Sequence, residues 1–152
     1  FHKNLGGGAL YDVGFYPISI MFTLFNSKKI KLLRSKIIRQ NKLDLMGNIN
    51  AQNENKVIFD LDWGFRSTYK NSLIVYGAEG SLLVNFIFSK DVIQEGKIII
   101  YRKKKSKVIK VSKSNQINLA FKDMLSNKSK LFNERYQTSL SVLNIIERLK
   151  KK

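Results

Sequence analysis

The stretch Gly6-Gly7-Gly8-Ala9-Leu10-Tyr11-Asp12-Val13-Gly14-Phe15-Tyr16-Pro17 decides how this chain is read. Three glycines come first, and glycine tolerates positive φ and lets another group approach the backbone closely. Ala9, Leu10, Val13, Ile18, Ile20, Met21, Leu24 and Phe25 then follow with the spacing of a largely buried helix. Residues four apart share a helix face. Asp12 and Tyr16 are such a pair, whereas Leu10 and Phe15 point elsewhere. A small polar patch therefore sits on an otherwise apolar element. Two readings stand: polar groups satisfied inside a core, or two site residues beside a glycine turn.

We expect this first helix to run from about Gly8 to Phe25, with Asn26-Ser27-Lys28-Lys29 ending it. Pro17 cannot donate to the carbonyl of Val13, so a kink is expected near Gly14. Such a kink would open the backbone beside Asp12 and Tyr16. Upstream, Phe1 to Leu5 reads as a short extended lead-in.

The wording of the stretch resembles the signature of the glucose-fructose oxidoreductase and inositol dehydrogenase family, Gfo/Idh/MocA. The pattern is glycines, a small residue, Leu, Asp, x, Gly, x, then His or Tyr. Asp12, Gly14 and Tyr16 stand at the matching places, which puts the chain in the Tyr-bearing branch. Twelve positions in order are far more specific than a lone glycine motif. In that family the signature opens the C-terminal, substrate-binding domain.

The rest of the chain reads as strands and then helices. Ile30 to Gln40 and Leu43 to Ala51 are strand-like, and Asn53-Glu54-Asn55 reads as a hairpin turn. Val57, Phe59, Leu61 and Trp63 alternate with Ile58, Asp60 and Asp62, the cleanest period-2 pattern present. Leu73 to Tyr76 and Ser81 to Phe88 flank the turn Gly77-Ala78-Glu79-Gly80. Lys97 to Tyr101 and Val108 to Val111 flank the basic tip Arg102-Lys103-Lys104-Lys105. One helix is expected from about Gln116 to Leu125. Another is expected from Asn133, as N-cap, to Lys150, with Leu140, Leu143, Ile146 and Leu149 on one stripe. Consecutive strands with short turns argue an antiparallel or mixed sheet, and the class is α+β.

The resemblance implies more: a large, open, mostly antiparallel sheet with helices packed on one face, like the C-terminal domain of glyceraldehyde-3-phosphate dehydrogenase. Ile74 to Leu82 resembles the family's strand, Gly-x-x-Gly, strand hairpin, and Ser139 to Lys150 its closing helix. On this reading residues 1–152 are a single substrate-binding and oligomerisation domain. The family's N-terminal Rossmann domain is not among them: Gly6-x-Gly8 is followed by Tyr11 where a third glycine should stand. The family's Glu-Lys-Pro motif, whose Lys assists catalysis, is also missing, since the only proline is Pro17, after Tyr16. With Phe1 rather than Met at the start, we expect a piece of a longer protein.

Composition bounds the alternatives. The 152 residues suffice for one domain with a core. There is no Cys and one His, His2, so neither a disulfide frame nor a His/Cys metal centre is expected. No metal site is assigned. The run from Phe15 to Phe25 is far short of the ~20 residues that span a bilayer. No signal peptide is visible, and we expect a cytoplasmic protein. Twenty-eight basic against 11 acidic residues give a net charge of +17. Most of the excess is Lys, which with abundant Asn and Ile follows an A/T-rich genome. Arg34, Arg39, Arg66, Arg102, Arg135 and Arg148 form no cluster of the kind that reads bases or phosphates. The charge is read as a solvated surface. Asp60 and Asp62 share a strand face, where a solvated side outweighs a glycosidase or cation pair.

The resemblance implies an NAD(P)-dependent oxidoreductase that passes a hydride between nicotinamide and a carbinol carbon of a sugar, sugar derivative or polyol. Tyr16 would be the acid/base at the substrate hydroxyl. A free Tyr has a pKa near ~10 and needs a nearby cation to act at neutral pH, which the Rossmann half's Lys would supply. Asp12 would orient a substrate hydroxyl, and Asn4 is a further candidate contact. Partners would be that Rossmann domain, a sugar-like substrate and further copies packed through the outer sheet face, where Ile58 and the row Leu82, Val84, Phe86 and Phe88 are apolar. Two rivals remain: a non-catalytic binding or assembly domain of the same fold, and a basic nucleic-acid binder. With NAD or NADP held by the other half, this chain alone should bind neither. Calorimetric titration giving micromolar binding would show the cofactor site to be misplaced.

Overall fold

At Gly14 of the first helix and Gly47 of the sheet beneath it, a side chain would press on the same neighbour. In the computed structural model, which describes residues 7–103, 105–126 and 129–151, with the backbone alone at 129–132, both glycines lie against the indole of Trp63. A Cβ on Gly14 would sit 3.0 Å from Trp63 Cε2. One on Gly47 would overlap the Trp63 ring. The bulkiest side chain of the sheet thus meets the helix and its neighbouring strand where those have only backbone.

The element order is a π-helical turn (Leu10–Gly14), α1 (Phe15–Thr23), β1 (Ile30–Gln40), β2 (Leu43–Asn53), β3 (Ile58–Gly64), β4 (Ser72–Gly77), β5 (Gly80–Asn85), β6 (Gly96–Arg102), β7 (Lys105–Val111), α2 (Gln116–Leu125) and α3 (Ser129–Lys150). Every pairing among the described strands is antiparallel, and the class is α+β. The strands group as β1-β2-β3 and β4-β5-β6-β7. The chain divides into two compact units, one holding the π turn, α1, β1–β3 and α3, the other β4–β7 and α2.

The helix begins as a π turn, not the α-helix expected from Gly8. Pro17 cannot continue the α ladder back to Val13, and the wider winding sits just upstream of it. The departure from α geometry therefore falls where the kink was expected, ending at Gly14. α1 ends at Thr23, two residues before the expected Phe25; after the turn at Leu24 and Phe25, Asn26 takes the left-handed φ of +47°, and Ser27 N–H reaches back to Met21 O at 3.2 Å.

In the first unit the inner sheet face carries Ile49 and Ala51 from β2 and Phe59 and Trp63 from β3. They pack with Leu10, Ile18, Met21 and Phe22, and with Val142, Ile145, Ile146 and Leu149 of α3. Burying one such aliphatic side chain contributes about 1.5–3 kcal/mol. The period-2 expectation for β3 holds: Phe59 and Trp63 are buried, while Ile58, Asp60 and Asp62 are exposed. Asn48 Nδ2 donates to Asp60 Oδ1 at 3.1 Å on that solvated face. A bulge between Leu32 and Arg34 resets β1, and Asn41 and Lys42, at φ +51° and +64°, make the tight turn into β2.

Three expectations are corrected. α3 starts at Ser129, so Asn133 lies inside it and is no N-cap; residues 129–132 hold no Gly or Pro to stop the helix. Its buried stripe is Val142, Ile145, Ile146 and Leu149, with Leu140 and Leu143 exposed. Packing against α1 selects one of two apolar stripes that both have helical spacing. β5 ends at Asn85, because Phe86 takes φ +58° and gives its N–H to Asn71 O at 2.6 Å. The row Leu82, Val84, Phe86, Phe88 therefore stops at Val84 as a strand pattern.

The second unit is a four-stranded meander. Gly80, at φ +158°, lies against Tyr101 O where any side chain would overlap, and Glu79 pairs with Arg102 across the two adjacent turns. None of the described apolar side chains of β4–β7 or α2 is fully buried, and Tyr76 is 81% exposed.

A polar clasp closes one end of the first unit. Asn53, 6% exposed, accepts the N–H of Asn55 and Val57 through Oδ1 and donates to Ser27 Oγ at 3.0 Å. Beside it, Glu54 accepts Lys28 N–H and Lys29 N–H at 2.9 and 3.1 Å, which holds its carboxyl below the usual range. Asn53→Ala strands two part-buried N–H donors and the buried Ser27 hydroxyl, and should cost about 1–3 kcal/mol. Asn55→Ala should cost far less, and urea denaturation of the two variants compares them.

Candidate functional site

The π turn is held from three directions. Leu10 N–H donates to Asp44 Oδ2 at 2.5 Å, tying the turn's start to β2. The acceptor satisfies an orphan donor at a helix start and suits the positive end of the helix dipole. Gly8 (φ +141°) lies so close to the Asp44 carboxylate that a Cβ would overlap it. Gly14 rests on Trp63 of β3. From α3, Glu147 accepts the hydroxyl hydrogen of Tyr11, and Lys150 Nζ lies 3.2 Å from that hydroxyl and 4.8 Å from the ring centre. Lys150 and Glu147 stand 3.7 Å apart. The Tyr11 hydrogen bond pulls the Glu147 carboxyl below its ordinary pKa, and the same hydroxyl raises that of the Lys150 ammonium.

Between these anchors, Asp12 and Tyr16 face out. Asp12 is exposed and Tyr16 is 46% exposed, while Leu10, Gly14 and Ile18 beside them are buried. The reading in which both polar groups are satisfied inside a core does not fit this exposure. Tyr16 stacks edge-on with Phe15 at 6.1 Å, and its carbonyl accepts Ser19 Oγ at 2.7 Å. Asn4 and His2 lie outside the described residues.

The Asp44 carboxylate occupies the described part of the helix start, beside Gly8. Among the described residues no group of three His, Cys, Asp or Glu is placed to hold a metal ion. No helix among them is long and apolar enough to cross a membrane.

Asp44, Tyr11, Glu147 and Lys150 were not anticipated as parts of this frame. Asp44 is 34 residues from Leu10, and Glu147 is 136 from Tyr11. Nothing local marks such pairs. Only Tyr11 lies within the signature itself.

A family model described as the GFO/IDH/MocA C-terminal domain matches residues 1–83. The chain is 28% identical over 104 residues to dTDP-3,4-didehydro-2,6-dideoxy-alpha-D-glucose 3-reductase of Saccharopolyspora spinosa, covering 68% of this chain and 31% of that protein. A 3-ketoreductase from Actinomadura kijaniata, crystallised with NADP and TDP-benzene, has the same fold: TM-score 0.84 at 22% identity, over 96% of this chain and 46% of that one. The aldose-aldose oxidoreductase from Caulobacter crescentus, complexed with glycerol, gives a TM-score of 0.71 at 14% identity, over 96% and 46%. The chain thus spans about a third of the reductase and just under half of each solved structure.

The two aspartates of this region should behave differently on substitution. Asp44→Ala removes the acceptor at the helix start and should lower stability by about 0.5–2 kcal/mol. Asp12→Asn, on the exposed side, should leave the melting temperature nearly unchanged. Thermal melts followed by circular dichroism measure both, and equal losses would contradict the arrangement described.

Proposed function

We propose, for a chain that belongs to the GFO/IDH/MocA family, that these residues form the substrate-binding and oligomerisation domain of an NAD(P)-dependent oxidoreductase. The substrate is a sugar, sugar derivative or polyol, and the reaction moves a hydride to or from a carbinol carbon. The observation that carries the reading is the joint exposure of Asp12 and Tyr16 on a helix start where Leu10, Gly14 and Ile18 are buried.

Tyr16 gives its hydroxyl proton to the substrate oxygen, or takes one from it, as the bond to carbon changes order. Asp12 accepts a hydrogen bond from a neighbouring substrate hydroxyl and sets the sugar's orientation. Asn4 adds a contact. The hydride carrier is held by a dinucleotide-binding half elsewhere in the protein, which also brings the Lys that eases proton transfer at Tyr16. The names of the reductase and ketoreductase relatives make a dTDP-linked 3-keto sugar the first substrate to try. NADP, present in the ketoreductase crystals, is the first cofactor.

Residues 1–152 then work as one domain in the cytoplasm, and further copies pack through a sheet face. Support for that packing is the second unit's uncovered apolar surface, with Ile74, Tyr76, Tyr101 and Val108 exposed. A binding domain without chemistry would not require Tyr16 to keep its hydroxyl. A nucleic-acid role would make binding fall steeply with salt.

In the protein carrying its dinucleotide-binding half, Tyr16→Phe removes the acid/base hydroxyl and keeps the ring. Turnover of the keto sugar with NADPH should fall about a hundred- to ten-thousandfold. Normal turnover with a lowered melting temperature would sink the catalytic assignment.

A further inference from the structure

The side chain of Tyr11 does something none of its neighbours does. Within the π turn Leu10 is buried and Val13 half-buried, both against apolar partners. Asp12 faces solvent. Tyr11 reaches across to the last turns of α3, where its hydroxyl meets Glu147 and Lys150 and its ring lies under the ammonium. The other two anchors of the turn, Leu10 N–H on Asp44 and Gly14 on Trp63, act through its backbone. They locate the two ends of the turn. A π turn is wider and less regular than an α turn, so its rotation about its own axis needs a further fixed point. Tyr11 supplies one, next in sequence to Asp12 and five residues before Tyr16.

We propose that Tyr11 is a positioning residue for the site: held by Glu147 and Lys150, it fixes the rotation of the π turn and so the direction in which Asp12 and Tyr16 are presented. This rests on the reading of Asp12 and Tyr16 as site residues. The contact is exposed, and exposed charged contacts add little to stability. Its consequence is therefore expected in substrate alignment, where a misplacement of about 1 Å costs up to about a hundredfold.

The test is kinetic, in the protein carrying its dinucleotide-binding half, with NADPH and a dTDP-linked 3-keto sugar as probes. Tyr11→Phe keeps the ring beneath Lys150 and loses the hydroxyl. It should lower kcat/KM for the sugar by about ten- to a hundredfold, with KM for the sugar raised, KM for NADPH unchanged and the melting temperature little moved. Glu147→Ala should match it. Glu147→Gln keeps an acceptor and should recover most of the loss. The double variant Tyr11→Phe/Glu147→Ala should fall no further than either single one, because both remove the same contact. Wild-type kinetics in Tyr11→Phe would overturn the proposal. So would additive losses in the double variant, or losses that track a lowered melting temperature. Asp12→Asn and Tyr16→Phe, run alongside, separate the two readings. If they lose activity while Tyr11→Phe keeps it, only the positioning role falls. If none of the three alters the kinetics, the site itself is wrong and the positioning role falls with it.

Discussion

The close approach of Trp63 to two glycines is the contact on which the rest of the first unit depends. Trp63 is the only tryptophan and is 6% exposed. Its indole can be buried there because Gly14, from the helix, and Gly47, its partner across the β2–β3 ladder, leave backbone-only surfaces for it. Interiors are close-packed, so a methyl group at either glycine would have to displace the ring or the strand. The glycine inside the signature is thus explained by what it packs on. Gly8 follows the same logic with a different partner, the carboxylate of Asp44. Both residues bring the helix start down onto the sheet at close range, and the side chains that cannot point inward are left facing out.

That division of labour gives the candidate site its chemistry. The inward side of the helix start is fixed by steric contact and one charge-assisted hydrogen bond. The outward side holds a carboxylate and a phenol within one turn of each other. The positive end of the helix dipole meets the Asp44 carboxylate at Leu10 N–H. The charged cluster of Tyr11, Glu147 and Lys150 lies to the side and is balanced within itself.

The two compact units differ in how they manage apolar surface. The first has a closed core between β1–β3 and the helices α1 and α3. The second has a four-stranded sheet and a helix whose apolar side chains remain half-buried or exposed. Of its two edge strands, β7 carries Lys105, Lys107 and Lys110, which blunt that edge against strand-to-strand pairing.

Alternation along β3, the helical spacing after the glycines and the turns at Asn26, Asn53-Glu54-Asn55 and Gly77-Ala78-Glu79-Gly80 were legible in the sequence because each is a local preference of backbone or side chain. The pair Asp12 and Tyr16 was legible for the same reason: spacing alone puts them on one side of a helix. Which side would be buried was not, since that depends on what the helix meets. α3 shows the limit clearly. Apolar residues at 140, 142, 143, 145, 146 and 149 support more than one stripe, and contact with α1 chose the one through Val142, Ile145, Ile146 and Leu149. The early end of β5 was decided by Asn71, whose backbone and side chain capture the N–H groups of Phe86 and Phe88. The frame of Asp44, Trp63, Glu147 and Lys150 around the signature came only from tertiary structure. Its members are brought together by chain reversal over tens of residues, and no local propensity encodes a partner that far away.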